Sequence, residues 1–211
     1  MSEELLQRLG ESLLAGDEGT TRELTREALG AGMSPHTVLD DGMRPAMERL
    51  GDRFSRGEAY LPELLLAAET MKAGMEVLEP VLVGGGGRAR AKLLLGTVEG
   101  DIHDIGKNLV KMMFQGAGYD VVDLGTDVSA DTFLDAYRRE KPDLVGLSAL
   151  LSTTVREMEK VIGMIRGEDP PARVIVGGAP VTPDLARQMG ADGYAPDAGS
   201  AVKVGSGLVR V

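Results

Sequence analysis

The chain has 211 residues, 43% hydrophobic and 27% charged, which is enough for one large domain or two small ones with packed cores. A formal net charge of −10 and the lack of a basic stripe argue against nucleic-acid binding. The absence of cysteine excludes disulfides, thiolate nucleophiles, iron–sulfur clusters and cysteine zinc sites. The acidic start, Met1-Ser2-Glu3-Glu4, and the lack of an apolar run near the roughly 20 residues of a membrane span predict a cytoplasmic protein without a membrane segment.

Residues 1–83 show helical periodicity and no convincing strand, and they predict a bundle of four amphipathic helices. The first helix should end near Gly16, and the second should run from Asp17 to Leu29. Ser34 followed by Pro35 predicts the start of the third, and the fourth should open near Tyr60. The apolar positions expected to line the last two helices are Val38, Leu39, Met43, Ala46, Met47, Leu50, Leu64, Ala68, Met71, Met75, Leu78 and Leu82.

Four consecutive glycines, Gly84 to Gly87, predict a flexible linker over residues 84–88 and a second domain over residues 89–211. In that domain apolar strands alternate with helices, which indicates a parallel sheet covered on both faces. The predicted strands are Ala91–Val98, Asp120–Leu124, Leu144–Leu150, Val174–Val176 and Gly193–Ala195. The predicted helices are Gly106–Ala117, Ala130–Glu140, Thr154–Arg166 and Pro183–Met189, and the packing of residues 198–211 is left open.

Polar residues and glycines follow successive strands of this predicted sheet. They are Asp101 and His103, Gly125 and Thr126, Ser148 and Ser152, and Gly177 and Gly178. Because the carboxyl ends of parallel strands share one edge, these residues should gather where a ligand binds. A histidine beside carboxylates can ligate a metal while an aspartate holds its other ring nitrogen. Taken singly, His103 could also be a solvated loop residue, the hydroxyls helix caps, and the glycines a tight turn.

Three motifs in this order give the chain a specific resemblance. Asp101-x-His103-x-x-Gly106, Ser148-x-Leu150 and Gly177-Gly178 resemble the signature of cobalamin-binding domains, and residues 58–71 are similar to the helical cap of methylcobamide carriers. These carriers are the cobalamin module of methionine synthase and the corrinoid proteins of methanol, methylamine and methoxyarene methyltransferase systems. The resemblance implies an α/β protein, a four-helix bundle cap followed by a Rossmann-like (flavodoxin-like) doubly wound parallel sheet.

The resemblance also implies a role for each matching residue. His103 would replace the cofactor's benzimidazole as the lower cobalt ligand, Asp101 would accept a hydrogen bond from its other nitrogen, and Thr154 would extend this relay. Release of the ligand on cobalt reduction would be coupled to proton uptake by this chain of groups. The cofactor contacts implied are Asp101, Ile102, His103, Asp104, Ile105, Gly106, Ser148, Leu150, Ser152, Thr153, Gly177, Gly178, Tyr60 and Met71. Tyr60 and Met71, with Phe54 and Leu64, are candidates for the cap, but a seam of this spacing must be buried in any case, which favours bundle core for each of them.

The function implied is that of a carrier of cobalamin or a related cobamide, methylcobalamin in its loaded form, with cobalt as its metal. The chain would accept a methyl group from a substrate-specific methyltransferase and deliver it to a second methyltransferase, with tetrahydrofolate or coenzyme M as final acceptor. A reductive activase would be a further partner. Alternatives are a subunit of an adenosylcobalamin-dependent mutase, which lacks the helical cap, a cobalamin-dependent sensor, and an HD-type phosphohydrolase suggested by His103-Asp104. The last needs more histidines than this chain has and an all-helical fold.

Overall fold

The computed structural model describes residues 2–84 and 91–209. The chain divides into two compact units, Met1–Arg90 with Gln115–Gly118 and Ala91–Phe114 with Tyr119–Val211. The expected linker lies outside the described residues, apart from Gly84, at which the last helix of the first unit ends. No helix in the described ranges is long and apolar enough to cross a membrane.

The first unit is helical, as predicted. Its helices are α1 (Ser2–Leu14), α2 (Glu18–Gly30), α3 (Pro35–Thr37), α4 (Arg44–Ser55) and α5 (Leu61–Gly84). Polar side chains fix two of the starts. Asp17 accepts a hydrogen bond from the Thr20 amide at the start of α2, and Ser34 caps α3 with proline at its first position.

The predicted third helix contains a π-helical segment, Val38–Met43, between α3 and α4. A π turn takes in one more residue than an α turn, so it changes the phase of the residues that follow. The apolar side chains predicted to line this helix are nevertheless buried: Val38, Leu39, Met43, Ala46, Met47 and Leu50. In α5 the predicted positions Leu64, Met71, Met75 and Leu78 are buried and Ala68 is half-buried, while the side chain of Leu82 lies outside the described set.

The second unit confirms the predicted Rossmann-like sheet. Its five strands are β1 (Lys92–Thr97), β2 (Asp120–Asp123), β3 (Leu144–Ser148), β4 (Arg173–Gly177) and β5 (Gly193–Ala195). They are parallel and follow the order β2-β1-β3-β4-β5, with Leu94 opposite Val122 on one side and Val145 on the other. This is the flavodoxin-like order, in which ligands bind where successive crossovers diverge, between β1 and β3.

Helices cover both faces of this sheet. They are α6 (Ile105–Gly116), α7 (Ala130–Glu140), α8 (Val155–Arg166), α9 (Pro183–Gln188) and α10 (Ala198–Leu208). The segment left open by the sequence is α10, which begins with a capping box in which the Asp197 side chain accepts from the Ser200 amide. On one face β-strand side chains such as Leu94, Val145 and Val174 form a core with Phe133 and Ile162 from the helices. Because both faces are buried, the strands read as apolar runs and were recognisable from the sequence.

Candidate functional site

Asp101 is the centre of the loop that follows β1. Its side chain is 0% exposed, and both carboxylate oxygens accept hydrogen bonds. Oδ1 lies 2.7 Å from Nδ1 of His103 and 3.1 Å from the His103 amide nitrogen. Oδ2 lies 2.7 Å and 3.2 Å from the amide nitrogens of Leu150 and Leu151, and 2.8 Å from Oγ1 of Thr154. The residues that follow β1 and β3 therefore meet at one carboxylate.

These contacts decide the charge of Asp101 and the tautomer of His103. Burial by itself raises the pKa of Asp101, but the hydrogen bonds from Leu150, His103 and Thr154 outweigh it and hold that pKa well below its ordinary value. An ionised carboxylate only accepts hydrogen bonds, so Nδ1 of His103 carries the proton. In the neutral form of the ring, Nε2 then keeps a lone pair, and the imidazole is 46% exposed. That is the state in which histidine binds a metal.

Thr154 occupies the N-cap position of α8, yet its side chain makes no capping bond. The hydroxyl lies 2.8 Å from Oδ2 of Asp101 and 2.9 Å from the carbonyl oxygen of Leu151 instead. Ser152 and Thr153, which the sequence offered as cofactor contacts or caps, are exposed in the loop between β3 and α8. The buried Thr154 hydroxyl therefore forms a hydrogen bond with Asp101 and does not cap the start of α8.

Two further hydrogen bonds, which the sequence did not predict, hold the backbone of the histidine loop. Thr97, at the end of β1, is fully buried and its hydroxyl donates to the carbonyl oxygen of His103 at 3.0 Å. Asp104, which is exposed, accepts from the Asn108 side-chain amide at 3.0 Å and so joins the loop to α6. The signal available in the sequence was a threonine at the end of an otherwise apolar strand.

The two loops that meet at Asp101 carry large apolar side chains that are open to solvent. Ile102 is 76% and Ile105 78% exposed, and Leu150 and Leu151 are 44% and 42% exposed. Large aliphatic side chains are usually buried, and exposed apolar groups next to a polar centre are typical of a binding surface. The loops after β1 and β3 thus form an apolar platform (Ile102, Ile105, Leu150 and Leu151) with one histidine.

A cavity of about 290 Å³ lies beside this platform at the carboxyl edge of the sheet. Gly106, Ser148, Leu150, Gly177 and Gly178 from the predicted set line it. Residues not anticipated as cavity lining are Leu95, Lys107, Val110, Gly146, Leu147, Ile175, Val176, Ala179, Ala195, Pro196, Asp197, Ala198 and Ala201. Its last wall is the start of α10, the segment whose packing the sequence left open.

The paired glycines at the end of β4 are required by the neighbouring backbone. Gly178 has φ +125°, and a Cβ there would lie 1.8 Å from the carbonyl oxygen of Ala149. A Cβ on Gly177 would lie 2.9 Å from the carbonyl oxygen of Ala195. The glycines therefore let three strand ends approach one another, and they line the cavity as a result of that packing.

Lys107 is a buried cation in the cavity wall. Its side chain is 2% exposed, and Nζ lies 2.7 Å and 2.8 Å from the two oxygens of Asp123 and 2.8 Å from Oδ1 of Asn108. Burial raises the pKa of Asp123, but the bonds from Lys107, Gly125 and Lys111 outweigh it and lower that pKa. Because three oxygen atoms surround the ammonium, Lys107 ties α6 to the end of β2 and has no donor left for a ligand.

The helical unit separates the cap candidates. Met71 is 0% and Leu64 2% exposed, so both belong to the bundle core, and Phe54 is half-buried. Tyr60 is 69% exposed and is followed in α5 by Leu61, Leu65 and Leu66, which are 41%, 43% and 49% exposed. Of the two residues of the helical unit that were predicted to touch the cofactor, Tyr60 and Met71, only Tyr60 has a side chain available for contact on the surface of this unit.

Two family models match the chain, and both describe a B12 binding domain. One matches residues 91–203 and the other residues 5–79. The first covers more than half of the chain, and the second covers the helical part that the mutase alternative lacks. These matches leave no place for a phosphohydrolase of the HD type.

Relatives and solved structures agree with the family models. Trimethylamine corrinoid protein 2 of Methanosarcina acetivorans is 41% identical over 95% of this chain and 94% of its own length. A corrinoid protein of Desulfitobacterium hafniense is 37% identical over 97% of both chains, and the dimethylamine corrinoid protein of Methanosarcina barkeri is 36% identical over 95% of both.

Among solved structures, a cobalamin-binding protein from Desulfitobacterium hafniense superposes with a TM-score of 0.79, at 30% identity, over 97% of this chain and 98% of that one. A chain of the methanol:cobalamin methyltransferase complex MtaBC from Methanosarcina barkeri superposes with a TM-score of 0.77, at 30% identity, over 97% of this chain and 79% of that one. The chain therefore belongs to the cobalamin-binding corrinoid proteins of methyltransferase systems.

Proposed function

We propose that the chain binds a cobamide with His103 as the lower ligand of cobalt and carries a methyl group between two methyltransferases. The observation that supports this most directly is the imidazole itself. Its Nδ1 is engaged by a buried, ionised carboxylate, while its Nε2 belongs to a half-exposed ring on an apolar platform. A carboxylate on the far nitrogen is the arrangement that orients metal-binding histidines and increases their basicity.

The residues present fit a corrin in two further respects. A corrin is a broad, flat and largely apolar ring, and the platform offers four exposed aliphatic side chains on the two loops that meet at Asp101. The neighbouring cavity of about 290 Å³ would take the nucleotide tail once the tail's own base has left the cobalt. Ser148 would supply a hydroxyl to that tail, and Gly177 and Gly178 would form the floor of its site.

Each residue of the relay has a proposed task. When bound, the cobamide supplies a cobalt that accepts and releases a methyl group. Asp101 holds the proton on Nδ1 and fixes the plane of the ring, while Thr154 and the two leucine amides hold Asp101. Tyr60 stays the candidate for cofactor contact from the helical unit because its ring is exposed.

The partners are part of the proposal. A substrate-specific methyltransferase would load the methyl group, a second methyltransferase would transfer it to tetrahydrofolate or coenzyme M, and a reductive activase would restore cobalt after oxidation. The names of the relatives, trimethylamine and dimethylamine corrinoid proteins, make methylamines the first donors to test. The proposal keeps the cytoplasmic location expected from the sequence.

Reconstitution with hydroxocobalamin tests the ligand. The chain offers a matched control, because His36, in α3, is its second histidine. After reduction to cobalt(II), the wild type and His36→Ala should show nitrogen hyperfine coupling that changes when the protein is labelled with ¹⁵N, and His103→Ala should not. Coupling in His103→Ala that still changes when the protein is labelled with ¹⁵N would refute the ligand assignment.

Methyl transfer needs a second measurement. Absorbance of the loaded, reduced protein should change on incubation with a methylamine and its methyltransferase. The same change should occur when the sample is kept in the dark. A change that depends on light alone would favour the sensor alternative. Loading with donors other than methylamines would keep the carrier function and change the substrate.

A further inference from the structure

Asp127 has a backbone conformation that its residue type does not favour. In the described ranges, residues 2–84 and 91–209, it is one of two non-glycine residues with positive φ, at 54°. Left-handed backbone costs a residue with a Cβ free energy, and such conformations persist where surrounding contacts determine them. Asp127 lies in the turn between β2 and α7, on the same edge of the sheet as His103.

Two hydrogen bonds join Asp127 to the loop that carries the histidine. Its carboxylate Oδ1 accepts from the amide of Gly100 at 2.7 Å. Its own amide donates to the carbonyl oxygen of Asp101 at 2.9 Å. One residue of the β2 turn thus holds the histidine loop on both sides of the peptide bond between positions 100 and 101.

The same turn continues the pairing of β1 with β2 beyond the strands. The Thr97 amide donates to the carbonyl oxygen of Gly125, and the Val128 amide donates to that of Thr97, both at 3.0 Å. Val98 and Val128 form a parallel bridge. The backbone contacts would form with any residue at position 127, whereas the bond to Gly100 requires an acceptor on the side chain. A left-handed aspartate is what places that acceptor over the loop.

We infer that Asp127 is a positioning residue of the cofactor site, acting through His103; the inference rests on the proposed function. Without the side-chain bond the loop from residue 98 to residue 104 gains conformational freedom, and the imidazole must be ordered when the cofactor binds. If the loop becomes ordered only when the cofactor binds, the loss of its conformational entropy weakens binding. A loop that is already ordered in the cofactor-free protein avoids this cost.

Two substitutions separate the side-chain bond from the backbone conformation. Asp127→Gly removes the acceptor and also relieves the strain of the left-handed backbone. The change in backbone conformation should therefore not lower the stability of the cofactor-free protein. Asp127→Asn keeps an oxygen that can accept from Gly100 and tolerates positive φ. Amide hydrogen exchange of Gly100 in the cofactor-free chain should accelerate in the glycine variant and stay near the wild-type rate in the asparagine variant.

A double-mutant cycle with His103→Ala tests whether Asp127 acts through the histidine. The apparent Kd of the full-length, cofactor-free chain for hydroxocobalamin is measured by absorbance titration. With His103 present, Asp127→Gly should raise it about fivefold, which corresponds to about 1 kcal/mol, the net contribution of one ordinary hydrogen bond. With His103→Ala the same substitution should change Kd less than about twofold, because the group it positions is gone. Asp127→Asn should restore most of the affinity.

The outcomes are distinguishable. An equal loss from Asp127→Gly with and without His103, or no loss while His103→Ala itself weakens binding, would overturn the positioning role and leave the proposed function standing. A His103→Ala variant that binds as tightly as the wild type would instead refute the proposed function.

Discussion

Replacing Asp101 by asparagine should change which nitrogen of His103 carries the proton. The carboxylate accepts five hydrogen bonds, two from His103 at Oδ1 and three from Leu150, Leu151 and Thr154 at Oδ2. Asparagine offers one acceptor oxygen and one amino group, so the amino group must face one of these two sets of donors.

The energies of the two orientations differ. If the amino group faces Leu150 and Leu151, two part-buried amides lose their acceptor, at about 1–3 kcal/mol each. If it faces His103, only the His103 amide loses its acceptor, because the imidazole can move its proton to Nε2 and accept at Nδ1. The second orientation is favoured by about 1–3 kcal/mol, the cost of one unpaired amide. Asp101→Asn should therefore fold with a net loss of about 1–3 kcal/mol and present a protonated Nε2 that cannot bind a metal.

Both consequences are measurable without cofactor. Urea unfolding gives the loss of stability, and long-range ¹H–¹⁵N correlation spectra of labelled histidine identify the protonated nitrogen. Asp135→Asn, an exposed carboxylate on α7, is the matched control and should leave both unchanged. An Asp101→Asn variant whose imidazole keeps its proton on Nδ1 would refute this account of the relay.

Three further results are expected. Burial raises the pKa of Asp192, but a backbone amide and two arginines outweigh it and lower that pKa, so Asp192→Asn should cost about 1–2 kcal/mol at pH 7. That cost should shrink as pH falls from about 5 toward 2 in urea titrations, since a contribution from a depressed carboxyl pKa is lost on acidification; a constant difference would contradict it. Met71→Ala should cost about 2–5 kcal/mol and Tyr60→Ala under about 1 kcal/mol in the same assay, and equal costs would reverse their placement. The cavity offers only the Ser148 hydroxyl as a side-chain group without a hydrogen bond among the described residues, so a benzimidazole cobamide should bind at least about tenfold more tightly than an adenine cobamide, and equal Kd values would refute this.

The sheet and its functional edge could be predicted because burial on both faces gives strands an apolar composition. Once strands are placed, the parallel arrangement alone gathers Asp101, His103, Ser148 and Gly177 at one edge. The family resemblance supplied the rest of the fold, and the order of the strands came from the structure. Pairing of Asp101 with both His103 and Thr154 likewise followed from the motif and is present in the structure.

Features that depend on contacts between distant segments were not predictable. The apolar periodicity predicted the third helix, but it did not show that one turn of this helix takes in an additional residue. The predicted apolar side chains are buried in spite of the π-helical segment. Helix α10 has glycines that weaken its own signal, and packing on β4 and β5 stabilises it. Lys107 lies in an apolar-periodic stretch, and nothing local indicates that Asp123 would bury it. The hold of Asp127 on Gly100 requires both turns to be placed first.

The wall that α10 adds to the cavity has a consequence for biosynthesis. This helix is translated after every strand and after the histidine loop. Before it is in place, the imidazole and all partners of Asp101 have already been synthesised, but the cavity lacks the wall that Ala198 and Ala201 supply. A nascent chain stalled before Ala198 would display the histidine without the enclosure, so firm retention of the vitamin's tail should begin only after that helix has emerged.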